Sequence, residues 1–264
     1  MNIYLEQLQK DFGDWGKVLS VGTLFTQDPS PFKRLIDMGF SKENSRMIFS
    51  VCPDDVNRLH ERDTIENKIR EMFGEEFHLG NLAAYPIGGI TGISAASHHS
   101  PDYVEGECKR SGNLIFFISP HLGLDLENEL LYGYIQRPGQ DKLTTACGAM
   151  MGFLRSIRHA HTVNDLYNFK VDPNDPTKAL LFKDLIDNYK EEIIDNLHGQ
   201  DINLTIIKLA KINYDLVMTT FKTMMKAFLE KGDFKCEFAI IGGITVNTQQ
   251  EDLFIFRDYF LNST

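Results

Sequence analysis

Two cysteines and a histidine occupy related places in the pattern of this chain. Cys52 and His121 each follow an apolar, strand-like run, and Cys147 opens a helix-like segment directly after a turn. In open α/β sheets, ligands bind outside the carboxyl ends of the strands. Two thiolates and an imidazole suit Zn²⁺, and three protein ligands leave a fourth tetrahedral position for water, as a catalytic zinc requires. The long intervals between the three match no compact finger or ribbon, so spacing alone does not single them out. A second chemistry is open to the same residues, with Cys147 as nucleophile at a helix N-terminus and His121 as its base. The adjacent pair His98-His99 is an equally visible ligand candidate.

These residues depend on elements that the residue pattern outlines. Residues 31–38 read as a short helix stopped by Gly39, and 46–51 (RMIFSV) as a strand ended by Pro53, which puts Cys52 at its tip. Residues 63–73 read as a helix capped by Asp63 or Thr64 and ended by Gly74. The stretch 77–99 starts like a strand and turns rich in glycine, with Gly88-Gly89 suggesting close backbone approach. Residues 113–119 (NLIFFIS) form the continuous apolar run of a strand covered on both faces, stopping at Pro120-His121. A strand over 130–136 leads through Arg137-Pro138-Gly139 to a helix whose first turn holds Thr145 to Gly148. Cys147 therefore sits near a helix N-terminus, where unpaired N–H groups stabilise a thiolate.

The segment 184–231 reads as mostly helical with a break near Gly199, and its apolar spacing at Ile206, Leu209, Ile212 and Leu216 marks a packing or dimer face. Two strands follow, 236–241 and 253–260, about a GGITVN turn region. The expected fold is α/β, a mixed central sheet flanked by helices with a largely helical segment before the C-terminal strands. No linker or charge break divides residues 1–264, so a single domain is expected.

Lys+Arg 27 against Asp+Glu 37 gives a net charge of −10, which repels polyanions and argues against nucleic-acid and anionic-membrane partners. The N-terminus lacks a basic start with an apolar core, and no apolar run is long enough for a membrane span, so a cytoplasmic protein is expected. The four cysteines are too few for a disulfide framework and show no CxxC pairing. Cys108, in the charged GECKRSG segment, reads as an exposed or half-exposed thiol, and Cys236 as the start of a core strand.

Several separated motifs stand in a recognisable order: CPDD from Cys52, Gly88-Gly89 through Ser97-His98-His99-Ser100-Pro101-Asp102, Ser119-Pro120-His121-Leu122-Gly123, Arg137-Pro138-Gly139, Ala146-Cys147-Gly148-Ala149, then IIGGITVN and DYFL. Over about Val51 to Phe260 this pattern resembles the limiting-CO2-inducible B/C family of algae and bacteria. The resemblance implies a β-carbonic-anhydrase-like (theta-type) fold, usually dimeric, with zinc held by Cys52, His121 and Cys147. It implies reversible hydration of carbon dioxide to bicarbonate and a proton by zinc-bound hydroxide, with Asp54 accepting the hydroxide proton.

The β-class pattern Cys-x-Asp-x-Arg would put arginine at position 56, where this chain has Val56; Arg58 is the nearby substitute. Without a partner, Asp54 itself would take the open metal position. The GGITG loop from Gly88 is the expected pocket wall, and His98 and His99 are the expected proton relay, their alternative task being to fix the loop. Two other readings compete with hydration: a catalytically silent zinc-fold protein that binds bicarbonate or a protein partner, and the metal-free cysteine enzyme.

Overall fold

The structure, a computed structural model, describes residues 2–28, 30–59, 62–105, 108–110, 112–127, 129–198, 201–231 and 237–262. In chain order its elements are α1 (Ile3–Phe12), β1 (Lys17–Ser20), α2 (Val21–Thr26), α3 (Pro31–Asp37), β2 (Ser45–Val51), α4 (Ile65–Phe73), β3 (Glu76–His78), α5 (Gly89–His98), β4 (Tyr103–Glu105) and β5 (Cys108–Arg110). They continue as β6 (Asn113–Ser119), β7 (His121–Asp125), β8 (Leu131–Tyr132), β9 (Tyr134–Gln136), β10 (Leu143–Thr145), α6 (Gly148–Ile157), α7 (Val163–Leu166), α8 (Pro176–Leu197), α9 (Ile202–Leu229), β11 (Phe238–Asn247) and β12 (Asp252–Asn262).

The main sheet runs β1-β12-β11-β6-β2-β3, with β7 and β8 attached beside β11. Its centre is parallel: β2 pairs with β6, and β6 with the first half of β11. The β12 hairpin partner and β1 are antiparallel, so the sheet is mixed, as expected. Alternation along each buried strand feeds two cores. Leu114, Phe116 and Ile118 face the layer that holds α1, α6, α8 and α9, together with Ile240 and Ile244. Ile115 and Phe117 face the other layer, with Ile69 of α4 and Phe32 of α3. Each such side chain contributes about 1.5–3 kcal/mol of burial free energy, which is why the continuous apolar run at 113–119 settles as a central strand.

Several expectations shift in detail. The 46–51 strand and the 65–73 helix form, and Thr64 rather than Asp63 is the cap, its side chain accepting from Asn67 N–H. Pro120 interrupts one strand line without ending it. Beyond it β7 continues alongside β11, with His121 opposite Thr245, so His121 begins a strand instead of sitting in a loop. The 130–136 strand divides at Gly133, whose φ of 80° turns the chain between β8 and β9. Thr145 ends a strand, and Cys147 is the N-cap of α6 rather than part of its first turn.

The GGITVN segment is no turn. It is the second half of β11, where an added Cβ at Gly242 would meet Met218 and Tyr214 about 2.3 Å away. GGITG is likewise the start of α5, with Gly88 pressed against Leu79. The long helices end at Leu197 and resume at Ile202; the break near Gly199 and Cys236 lie outside the described residues, as does the Cys108 side chain.

Of the two readings of the α9 face, packing or dimer contact, the structure shows packing: Ile206, Leu209, Ile212 and Leu216 are all buried within the chain. Among the described residues no helix is long and apolar enough to cross a membrane.

Gly80 lies where the segment after β3 crosses the tip of β2, and a Cβ there would stand 2.6 Å from Val51 N and 2.8 Å from Ser50 Cα. Since backbone atoms cannot step aside cheaply, Gly80→Ala should destabilise the protein by about 1–3 kcal/mol. Urea denaturation measures this, and an unchanged midpoint would contradict the close approach.

Candidate metal centre

Three elements deliver the site. β2 ends at Val51, and Pro53 prevents its continuation, leaving Cys52 buried at the strand tip. Pro120 separates β6 from β7 and turns His121 into the sheet edge, with its side chain fully buried. Cys147 caps α6 from the opposite side. The result is a group of donor atoms from Cys52, His121 and Cys147 that all lie within 4.8 Å of one another. The two Sγ atoms are 3.6 Å apart.

Without a metal the three donors compete for protons, and their pKa values move in opposite directions. Hydrogen bonding from the Cys52 thiol lowers the pKa of Cys147, and the backbone N–H groups of Ala149 and Met150 at the start of α6 add to this against the opposing effect of burial. Cys52 is pushed up in turn, by its hydrogen bond to Cys147 and by burial. Burial alone would lower the His121 imidazole, but the Cys52 sulfur and the Asp54 carboxylate raise it to about 9. Among the described residues, the buried His121 Nε2 has no hydrogen-bond partner. An unmet polar atom in the interior costs about 1–3 kcal/mol, a cost that a metal ion held by the two sulfurs and this nitrogen would remove.

Asp54 caps a 3₁₀ turn at Asp55–Arg58, its Oδ1 accepting from Val56 N–H at 3.2 Å. The same Oδ1 accepts from Arg137 Nη2 at 2.5 Å, while Oδ2 lies 3.7 Å from His121 Nε2. Burial would raise this carboxyl, but His121 and Arg137 together hold it below the ordinary aspartate value. Arg137 is anchored in turn by Asp55 Oδ1 at 3.1 Å, Thr145 O at 3.1 Å and the Thr144 hydroxyl, so its fork is fixed on all sides.

The arginine facing Asp54 is therefore Arg137, from the turn between β9 and β10, and not Arg58. Arg58 Nε instead donates to Glu66 at 2.9 Å, and its Nη2 lies 3.1 Å from His78 Nε2. Position 56 points into a small apolar cluster with Ile135 and Ala146, which suits Val56 and would bury an arginine without a partner.

His98 and His99 are exposed at the C-terminal end of α5, where the His99 ring meets Phe77, and the structure does not bring them to the cluster. Gly88 and Gly89 are not part of the cavity beside His121 and Cys147. That cavity is walled by Met150, Leu154, Ile206 and Ile244, with Asn213 adding a polar side chain. Arg137 escaped sequence reasoning as a site residue although its RPG motif was visible. Asn247, which holds His121 from behind at 2.7 Å, was visible only as the last letter of GGITVN.

No curated protein matches the sequence. The crystal structure of PtLCIB4, a homolog of the limiting CO2-inducible protein LCIB, matches at 24% identity over 98% of this chain and 95% of that one, with a TM-score of 0.76. The crystal structure of limiting CO2-inducible protein LCIB itself matches at 18% identity over 97% and 93%, with a TM-score of 0.69. These likenesses show a shared fold. A family model described as limiting CO2-inducible proteins B/C β carbonic anhydrases matches residues 32–262, and the chain belongs to that family.

Proposed function

We propose that this chain is a zinc-dependent carbonic anhydrase that interconverts carbon dioxide and bicarbonate. The observation that carries the reading is the alignment of Arg137, Asp54 and the buried Cys52, His121 and Cys147 group, with Asp54 Oδ2 3.7 Å from His121 Nε2. The donor set fits zinc: two sulfurs at tetrahedral zinc distances stand about 3.8 Å apart, close to the 3.6 Å between Cys52 and Cys147. Bound there, zinc lowers the pKa of a water molecule toward about 7 and so supplies a nucleophile at neutral pH.

The protein's own residues then do the positioning. Arg137 and Val56 N–H occupy Asp54 Oδ1, which leaves Oδ2 as the acceptor that faces the cluster. Oδ2 takes the O–H of the attacking water and turns its lone pair toward carbon dioxide. Held by Arg137, Asp54 is kept from taking the open metal position itself. The apolar wall of Met150, Leu154 and Ile206 beside His121 and Cys147 suits an uncharged, nonpolar substrate better than a charged one. A cysteine nucleophile would give Cys52 no task, and so the metal reading stands above it.

Purified protein should carry close to one zinc per chain, and Cys147→Ser should lose most of it; metal analysis in which Cys52→Ser and Cys147→Ser both keep full zinc would remove the ligand assignment. Asp54→Ala should retain zinc and lose hydration activity on the order of 10²-fold, since it removes an orienting contact and no ligand. Arg137→Ala should also slow turnover, whereas Arg58→Ala should not. Wild-type activity should rise with pH through about 7. Asp54, with its lowered pKa, is already ionised below that range and does not generate the rise. Zinc-loaded protein that never hydrates carbon dioxide in a stopped-flow assay would leave the binding reading in place. The family resemblance also implies paired chains, and we propose a homodimer; light scattering should report about twice 30.1 kDa.

A further inference from the structure

The face of His121 turned away from the two cysteines meets an entirely buried polar chain. His121 Nδ1 lies 2.7 Å from Asn247 Oδ1. The Nδ2 of Asn247 donates to Asn57 Oδ1 at 3.0 Å and to Asp252 Oδ1 at 2.9 Å, which uses both of its hydrogens. Each of those acceptors is itself held. Asn57 donates through its own Nδ2 to the carbonyl of Cys52 at 3.1 Å, so its oxygen must face Asn247. Asp252 takes Arg62 Nη2 at 2.7 Å and Ile65 N–H at 3.1 Å, and Arg62 also donates to Val56 O at 2.8 Å. Asn57, Asn247 and Asp252 are each at most 2% exposed.

The directions of these bonds are not free. A carboxylate and a backbone carbonyl only accept, so the Asn247 amide has one orientation, with its oxygen toward the ring. That oxygen cannot donate, and Nδ1 must therefore carry the hydrogen. In the neutral ring that a metal would bind, Nε2 is then the nitrogen with the lone pair, and among the described residues it has no hydrogen-bond partner.

We propose that Asn247, oriented by Asp252 and Asn57, is the positioning residue that fixes the Nδ1–H form of His121 and aims Nε2 at Cys52 and Cys147. Because Asn57 grips the Cys52 carbonyl, the same chain ties two of the donor residues together from behind. The inference rests on the metal reading above, and its test separates the two.

The protein is labelled with ¹⁵N-histidine and loaded with ¹¹³Cd, a spectroscopic substitute for zinc. In the wild type, cadmium should couple to His121 Nε2, and Nδ1 should show a directly bonded, exchange-protected proton. Asn247→Leu should lose that protection and release cadmium to a chelator about 10- to 100-fold faster. Asp252→Asn, which keeps the shape but lets the amide chain reverse, should do the same to a smaller degree, with a lowered melting temperature because the buried Arg62 loses its counter-charge. If Asn247→Leu does not fold, Asp252→Asn decides alone. Wild-type release rates and an unchanged Nδ1–H signal in the folded variants would overturn the positioning role while the metal site stands. A wild-type chain that takes up no cadmium or zinc would overturn both.

Discussion

A fully buried imidazole with one nitrogen that has no hydrogen-bond partner among the described residues is the constraint around which the site is arranged. Two thiols stand beside that nitrogen, and an interior of this kind is stable only if all three donors share a cation or exchange protons among themselves. The directions of the pKa shifts express the conflict: His121 and Cys52 are driven up while Cys147 is driven down. The parallel centre of the sheet sets this up, since β2 and β11 end at the same edge and Pro120 starts β7 there. α6 then brings the positive end of its dipole to the third donor.

Two supports reach the donors from different directions. On the outer side, Arg137 crosses from the β9–β10 hairpin to hold Asp54, and Asp55 and the Thr144–Thr145 strand hold Arg137. On the inner side, Arg62 and Asp252 hold Asn247 against His121. In both, an arginine fixes an aspartate, and the aspartate or its neighbour fixes the working atom. The outer pair is part-exposed, with Arg137 and Asp54 side chains each at 13%, whereas Arg62 and Asp252 are at 8% and 1%.

Much of this was legible in the residues. RMIFSV and NLIFFIS became the central strands because continuous apolar runs of that length have few other ways to be buried on two faces, and Cys147 met a helix start because glycine and small residues follow a turn there. What stayed hidden depends on distance along the chain. Arg137 is 83 positions from Asp54, and in a Pro-Gly turn an arginine reads as a solvated residue. His121 and Asn247 are 126 apart. The glycines of GGITVN suggested a turn because local propensity carries no record of Met218, Tyr214 and Phe254 crowding the strand, which is the tertiary reason that side chains are absent there.

The substitution at position 56 shows why a motif's chemistry can survive when its spacing does not. In the 3₁₀ turn after Cys52, residue 56 faces inward against Ile135 and Ala146 and is completely buried. An arginine there would need its charge met in an apolar cluster, whereas valine fills the space and leaves its N–H to bind Asp54. The guanidinium enters instead from the hairpin that contributes Ile135 to the same cluster, so the packing of Val56 and the approach of Arg137 belong to one arrangement. The requirement is a fork of donors at Asp54 Oδ1 with Oδ2 left facing the donors. Which element supplies it is set by the space the surrounding residues leave, and here the backbone of Val56 and the side chain of Arg137 supply it together.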